Sequence, residues 1–226
     1  MKKAPTPDTE QSSEKRAGRY GFTAEQLEVI EQDLAVFEAP EREKFLAICQ
    51  VTKLNPLLRQ IYATARWDKD AQVNRCVATT GIDGLRKVAA DTGEYEGQTP
   101  PMWCNKDGIW KDVWLADGVV PYAAKIGVYR KGFREALVAV CRYDSYVQKG
   151  KDGYPTSFWK KMPDNQILKC TESNALRRAF PQCDGLYLKE EIHDDGTETE
   201  TPADATPVGQ PKAPETVPTV EKPARK

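Results

Sequence analysis

Residues 159–187 read WKKMPDNQILKCTESNALRRAFPQCDGLY. This stretch predicts a helix that begins near Pro163, because proline suits a first helical turn, where its missing N–H would have no partner. Apolar residues then recur at three- and four-residue spacing from Ile167 to Ala179, which predicts one buried face. Pro181 stops the pattern. The stretch therefore predicts one amphipathic helix that packs against the rest of the fold.

A polar line runs along this predicted helix. Lys169, Ser173 and Arg177 are spaced four residues apart, so their side chains lie above one another on one side of the helix. Trp159 precedes the helix, and two lysines follow it directly in the sequence. Positive charge along a helix, with an aromatic side chain at its entrance, is suited to a polyanion that runs beside it. The alternative is a solvated helix with ordinary surface charges.

The bulk composition indicates a chain without membrane or secretory segments. Of 226 residues, 39% are hydrophobic, and no apolar run approaches the roughly 20 residues that a membrane helix needs. The first residues carry two lysines but no apolar stretch of a signal peptide. The six cysteines form no closely spaced pair, and the single histidine, His193, lies near the C-terminus. We therefore expect reduced thiols, no metal site, no membrane partner and a cytoplasmic location.

Charge is unevenly distributed along the chain. Residues 121–189 carry 13 Lys and Arg against 6 Asp and Glu, a net charge of +7. Residues 190–226 carry 4 against 9, a net charge of −5. A basic third followed by an acidic end is the pattern expected when one surface meets phosphate groups.

The distribution of secondary structure predicts an α+β fold: a short antiparallel β-meander packed with helices. Residues 1–18 and 193–226 lack apolar periodicity and are predicted to be disordered, the second segment being acidic and Pro-rich. Residues 19–192 are predicted to form one folded domain between these ends. Its predicted elements are helices from Thr23 and over about 40–53 and 82–92, and strands over about 61–66, 75–79, 102–104, 110–115, 122–130 and 135–143.

Catalytic chemistry has little support in the sequence. No glycine-rich phosphate-binding motif is present, and the one histidine lies outside the predicted fold, so nucleophile–histidine catalysis lacks a base. A two-metal nuclease needs clustered carboxylates. Asp68 and Asp70 form the closest pair but lie in a predicted exposed turn, whereas Asp83 and Glu172 are isolated on helices. We expect no cofactor and no enzymatic activity, with a metal-dependent nuclease as an alternative.

Nucleic-acid binding is better supported. Basic groups neutralise phosphates, aromatic faces stack on bases, and both residue types alternate through the basic third of the chain. Helix-turn-helix and zinc-finger patterns are absent, which favours binding to single strands along the backbone. Trp159 is the aromatic residue expected to stack on bases, while Arg178 is expected to bind either DNA or an acidic side chain. The candidate basic residues are Lys131, Lys149, Lys151, Lys160, Lys161, Lys169, Arg177, Arg178 and Lys189.

Four sequence blocks carry a family resemblance. They are LNPLLRQIYA at 54–63, GIDGLRKVA at 81–89, VYRK at 128–131, and the W…P…L…NALRRAF…GLY…EE run at 159–191. In this order they resemble the phage recombination protein Bet family, the Red beta and RecT-like single-strand annealing proteins. The resemblance implies an ATP-independent homo-oligomer, a ring or helical filament. Such a protein takes single-stranded DNA exposed by a partner exonuclease, alongside the host single-strand binding protein, and pairs it with its complement in a basic groove.

The resemblance also implies DNA contacts at particular positions. These are Lys131, Lys149, Lys151, Trp159, Lys169, Arg177 and Lys189. The chain departs from the resemblance at two positions: Asp164 stands where family proteins often carry a basic residue, and Cys170 stands where the Red beta protein carries a lysine. That departure implies a rearranged grip on the strand, in which Lys160 and Lys161 compensate. A second alternative is a non-catalytic scaffold protein whose basic face binds an acidic partner.

Overall fold

The computed structural model describes residues 7–116 and 118–192, and these residues form the predicted α+β fold. The predictions of disorder for residues 1–6 and 193–226 lie outside the described residues. In the described part, no helix has both the length and the apolar character needed to cross a bilayer. The elements are α1 (Pro7–Tyr20), α2 (Ala24–Asp33), α3 (Ala39–Thr52), β1 (Ile61–Asp68), β2 (Val73–Thr80), α4 (Ile82–Asp91), β3 (Tyr95–Gln98), β4 (Met102–Cys104), β5 (Trp110–Lys111), β6 (Ala123–Arg130), β7 (Leu137–Arg142), α5 (Tyr143–Tyr146), α6 (Ser157–Lys161) and α7 (Pro163–Ala179).

The N-terminal segment differs from its prediction. Residues 7–18, predicted to be disordered, belong to helix α1. Ala17 and Tyr20 are buried in the core, and Arg16 forms ion pairs with Glu31 and Glu43. The helix is therefore held by contacts with α2 and α3, which a search for local apolar periodicity does not detect. The next helix begins as predicted, since Thr23 and Gln26 form a reciprocal capping box at the start of α2.

The strands form two antiparallel sheets. β1 and β2 pair along their full length as a hairpin. In the five-stranded sheet, β6 is central: it pairs with β3 and β4 on one side and with β7 on the other. The antiparallel pairing was predicted, and the β6–β7 pair is a hairpin, whereas the pairing of β6 with β3 and β4 brings together strands that are not consecutive in the chain. The predicted strand over 110–115 is confined to Trp110–Lys111, where β5 pairs with β4.

Helix α7 is the central helix of the core, as its sequence pattern predicts. It packs across β6 and β7, and its apolar residues Ile167, Leu176 and Ala179 are fully buried. Helix α4 lies against its other side. Burial of such side chains contributes about 1.5–3 kcal/mol each, so α7 holds the sheet and α4 together.

The GIDGL sequence at the start of α4 is required for close packing. A Cβ atom at Gly84 would lie 2.2 Å from the carbonyl oxygen of Gln60, closer than any real contact allows. Gly84 thereby lets α4 approach the backbone that leads into the β1–β2 hairpin.

Candidate nucleic-acid interface

The predicted polar line along α7 exists, but in this structure it is covered. Ser173 is completely buried, and the Arg177 side chain is only 14% exposed. Arg177 Nη1 donates a 2.5 Å hydrogen bond to the Ser173 hydroxyl, so the two residues are linked along the helix. Lys169, two turns earlier, is half-buried. The line is thus in contact with protein over most of its length.

The cover is a short segment after the last turn of the fold, Leu188–Ile192, which we call the strap. Its two carboxylates pair with the α7 line: Lys169 Nζ lies 3.1 Å from Glu190 Oε1, and Arg177 Nη2 lies 2.5 Å from Glu191 Oε1. Burial alone would lower the pKa of Arg177. The hydrogen bonds and charge of Glu191 outweigh that effect and raise the pKa of Arg177. The guanidinium is therefore firmly charged and internally neutralised.

The strap is attached at both of its ends. The Thr80 amide donates to the Tyr187 carbonyl at 2.8 Å, so the chain enters the strap alongside the end of β2, and Leu188 is fully buried. Near the other end, Gln148 Nε2 donates to the carbonyls of Lys189 (2.6 Å) and Ile192 (3.0 Å). The loop that carries Gln148 thereby fixes the strap's position over α7.

Trp159, the residue expected to stack on bases, is 0% exposed. Its ring packs edge-on against Tyr143, with centroids 5.5 Å apart, inside a cluster that includes Ile167 of α7. A stacking role for Trp159 is therefore incompatible with this arrangement. The neighbouring Phe158 is 54% exposed, so it is the aromatic residue that α6 presents to solvent. Nearby, Tyr154 is also exposed.

Five predicted lysines lie around the strap and the N-terminal half of α7. Lys149 and Lys151 are in the loop between α5 and α6, which closes on itself through a bridge between Lys149 and Pro155. Lys160 and Lys161 end α6, which packs against α7, and Lys189 belongs to the strap. All five are exposed, and none pairs with an acidic side chain that the structure describes.

Two predicted residues lie at the other end of α7. Lys131 follows β6, and the preceding Arg130 donates to the carbonyl of Ala179, the last residue of α7. Arg178 is exposed and donates to the Val138 carbonyl at 2.7 Å, so its partner is a backbone oxygen rather than a carboxylate. A 17-residue helix is about 25 Å long. The predicted basic residues therefore form two groups joined by the covered line of α7.

Three of the four acidic residues considered for metal binding, Asp68, Asp83 and Glu172, pair with arginines. Arg86 binds both Asp83 and Glu172, and Asp68 pairs with Arg75. The structure shows no group of three metal-ligating side chains within the residues it describes. Chemically, the arrangement is equipped to bind anions.

The sequence prediction missed the partners of the α7 line. Glu190, Glu191 and Asn174 were noted only as parts of the family resemblance or of the acidic end of the chain, and Gln148 was not considered. The sequence did contain one indication of the two glutamates: Glu190 and Glu191 are adjacent carboxylates that directly follow the basic segment 121–189.

Comparison with known proteins gives one family. The model described as "RecT family" matches residues 20–205, which covers every element from α2 onward. No curated protein sequence matches the chain.

Proposed function

The chain belongs to the RecT family, and from this premise we propose that it is an ATP-independent protein that binds single-stranded DNA and anneals it to a complementary strand. Membership in this family supports a role in phage recombination by strand annealing. The match over residues 20–205 is the observation that carries the proposal. The net charge of +7 over residues 121–189 is consistent with a phosphate-rich ligand.

The proposed mechanism needs positioning and no covalent chemistry. Lysines and arginines hold one strand by its phosphates, which leaves the bases free to test a second strand. Each correct stacking step contributes about 1.4 kcal/mol, so a short paired run outweighs the repulsion left between two partly neutralised backbones. Base pairing supplies the free energy, and no nucleotide is consumed.

The proposed contact residues form the two groups at the ends of α7. Their exposed ammonium groups are available to phosphates, and Phe158 and Tyr154 add exposed aromatic faces beside the larger group. Lys169 and Arg177 would join the groups once they are uncovered. The proposed DNA contacts are Lys131, Lys149, Lys151, Lys160, Lys161, Lys169, Arg177, Arg178 and Lys189.

The two-group arrangement favours an assembly of several copies. One subunit would bind a short piece of strand. If the α7 helices of neighbouring subunits were arranged end to end, their basic groups would form a continuous groove for a longer strand. We therefore propose that residues 19–192 act as one annealing and oligomerisation domain. The domain would assemble into a ring or filament in the host cytoplasm, together with a partner exonuclease and the host single-strand binding protein.

A strand-annealing assay without nucleotide tests the proposal. Two complementary oligonucleotides, one with a fluorophore and the other with a quencher, are mixed with and without the protein. We expect faster quenching with the protein present and no change on adding ATP. Binding should weaken steeply with salt, because each neutralised phosphate contributes about −0.7 to the slope of log K against log salt for single strands.

Single-residue variants test the proposed contacts. Lys160→Ala should weaken binding equally for different sequences and reduce the salt slope, since an ammonium–phosphate contact carries no base information. Lys106→Ala removes the same charge from an exposed turn outside both groups and should have little effect. A sequence-selective loss in Lys160→Ala would reject the backbone-binding mode.

The alternative functions give different outcomes in simple assays. Cleavage of end-labelled DNA in magnesium or manganese would indicate a nuclease. Absence of any shift of an oligonucleotide in a native gel would favour a scaffold protein that binds an acidic partner.

A further inference from the structure

The carboxylate of Glu191 occupies a site with five hydrogen-bond donors. Its side chain is only 5% exposed. The donors are Arg177 Nη2 (2.5 Å) and Asn174 Nδ2 (3.4 Å) to Oε1, and Arg177 Nη1 (2.8 Å), the Ser173 hydroxyl (2.9 Å) and the Leu188 amide (3.0 Å) to Oε2. We call Ser173, Asn174 and Arg177 the cradle. A planar guanidinium that binds two oxygens of one anion, assisted by a hydroxyl and an amide, is an arrangement that suits phosphate as well as carboxylate.

A second carboxylate of the strap pairs with the same helix, beside the cradle. Glu190 binds Lys169, two turns before Arg177 along α7, which corresponds to about 12 Å. The strap therefore presents two negative charges to two positive charges that are arranged along one line. A polyanion running along α7 would meet the same two cations.

Charge, more than burial, holds the second half of the strap. Leu188 is fully buried, but Lys189 is exposed and Glu190 and Ile192 are only half-buried. The contacts of this half are polar: the ion pairs and hydrogen bonds of Glu190 and Glu191 with α7, and the two hydrogen bonds from Gln148. A segment held by ion pairs can be exchanged for another anion with little loss of apolar burial.

We propose that the cradle and Lys169 form a phosphodiester-binding site, and that the strap occupies this site in the absence of DNA as an internal substitute for the strand. The inference rests on the proposed function, because it identifies single-stranded DNA as the ligand that displaces the strap. Arg177 and Lys169 exchange carboxylates for phosphates, so neither cation is left unpaired. DNA must compete with Glu190 and Glu191, and the strap thereby lowers the apparent affinity for the strand.

The size of the effect follows from the closed fraction. If the strap is closed 90–99% of the time, the apparent affinity is about 10- to 100-fold below that of the open site. Removing the two strap charges should recover much of this factor.

The test measures binding of a fluorescent single-stranded oligonucleotide of mixed sequence by anisotropy, with the full chain. The double variant Glu190→Gln, Glu191→Gln should bind about tenfold more tightly than the wild type. Glu28→Gln, Asp33→Asn removes the same charge from exposed positions on α2 and serves as the matched control, with less than about a twofold change expected from long-range charge alone. Equal affinity gains in the two double variants, or no gain in the strap variant, would overturn the proposal.

A third variant covers the case in which the strap carboxylates are needed for folding. Gln148→Ala removes both hydrogen bonds to the strap backbone without a change of charge, and it should also tighten binding. Thermal denaturation identifies which variants are folded. If the strap variant does not fold, unchanged affinity in Gln148→Ala rejects the proposal. If neither wild type nor any variant binds single strands, the proposed function itself fails. If the wild type binds and no strap change improves its binding, only this inference fails.

Discussion

Arg86 and Glu172 connect α4 to α7 through two parallel hydrogen bonds, with Arg86 Nε 2.6 Å from Glu172 Oε1 and Nη2 2.7 Å from Oε2. The Glu172 side chain is 3% exposed, whereas that of Arg86 is 45% exposed. Gln98 of β3 donates a further 2.6 Å hydrogen bond to the same carboxylate. The buried carboxylate of Glu172 on α7 is thus neutralised by Arg86, an arginine that is partly exposed to solvent.

Removing Arg86 should destabilise the protein markedly. Arg86→Ala leaves the Glu172 carboxylate buried with Gln98 as its remaining described partner, and we expect a loss of about 2–4 kcal/mol. This lies toward the low end for a broken buried pair, because the guanidinium is partly solvated. Urea denaturation measures the loss. Lys87→Ala, which breaks the surface pair with Asp91 one position along, should cost less than about 1 kcal/mol. Equal losses in the two variants would contradict the role assigned to Glu172.

Local patterns predicted those features of the fold that depend on residues near in sequence. The capping box at Thr23 and the helix from Pro163 are both confirmed, because their signals lie within a few residues. The alignment of Lys169 and Arg177 was predictable for the same reason, since it follows from the helical repeat. The carboxylates that pair with these two residues were not predictable, because the strap that carries them packs against α7 only after the chain has turned back beyond the end of the helix.

The two aromatic residues of α6 show a further limit of sequence reasoning. Trp159, expected to be available for stacking on bases, is buried, whereas the adjacent Phe158 is exposed. A five-residue helix offers too little periodicity to indicate which side faces the core. Helix α1 was missed for a related reason: its sequence carries no repeating apolar pattern, although Ala17 and Tyr20 are buried.

Gly84 should be intolerant of substitution. Gly84→Ala places a methyl group 2.2 Å from the carbonyl oxygen of Gln60, a backbone atom that cannot move independently, so we expect a loss of about 3 kcal/mol in stability. Gly18→Ala is the control, because it lies in α1 with no atom within 4 Å of the added Cβ. That change should be neutral or stabilise by up to about 1 kcal/mol. Chemical denaturation of both variants checks the prediction, and a neutral Gly84→Ala would show that α4 is less closely packed.

Trp159 should matter for stability and not for DNA stacking. Trp159→Ala removes a fully buried indole and should cost about 3–5 kcal/mol. Trp159→Phe retains most of the buried ring, so it should bind single strands like the wild type. Phe158→Ala should change stability by less than about 0.5 kcal/mol and, if the exposed ring stacks on bases, weaken binding by about 1–3 kcal/mol. Denaturation and anisotropy titrations separate the two effects. If the Trp159→Phe protein were stable but bound DNA weakly, Trp159 would have a role in DNA binding that this prediction excludes.

Glu43 should make the attachment of α1 depend on pH. Hydrogen bonds from Tyr20 and Arg16 lower the pKa of Glu43 below its usual value of 4.5. A carboxyl group with a lowered pKa in the folded state contributes stability above its unfolded pKa, and this contribution is lost as pH falls through the folded value. At pH 7, Glu43→Gln should therefore lower the melting temperature by about 2–4 °C, corresponding to about 1 kcal/mol for a partly exposed pair. The difference between wild type and variant should shrink below about pH 4.5 as Glu43 becomes protonated in the wild type.

Glu28→Gln, at an exposed position on α2, should follow the wild type across the same range. A difference between Glu43→Gln and wild type that stays constant from pH 7 to pH 3 would mean that the charge of Glu43 does not hold α1 in place.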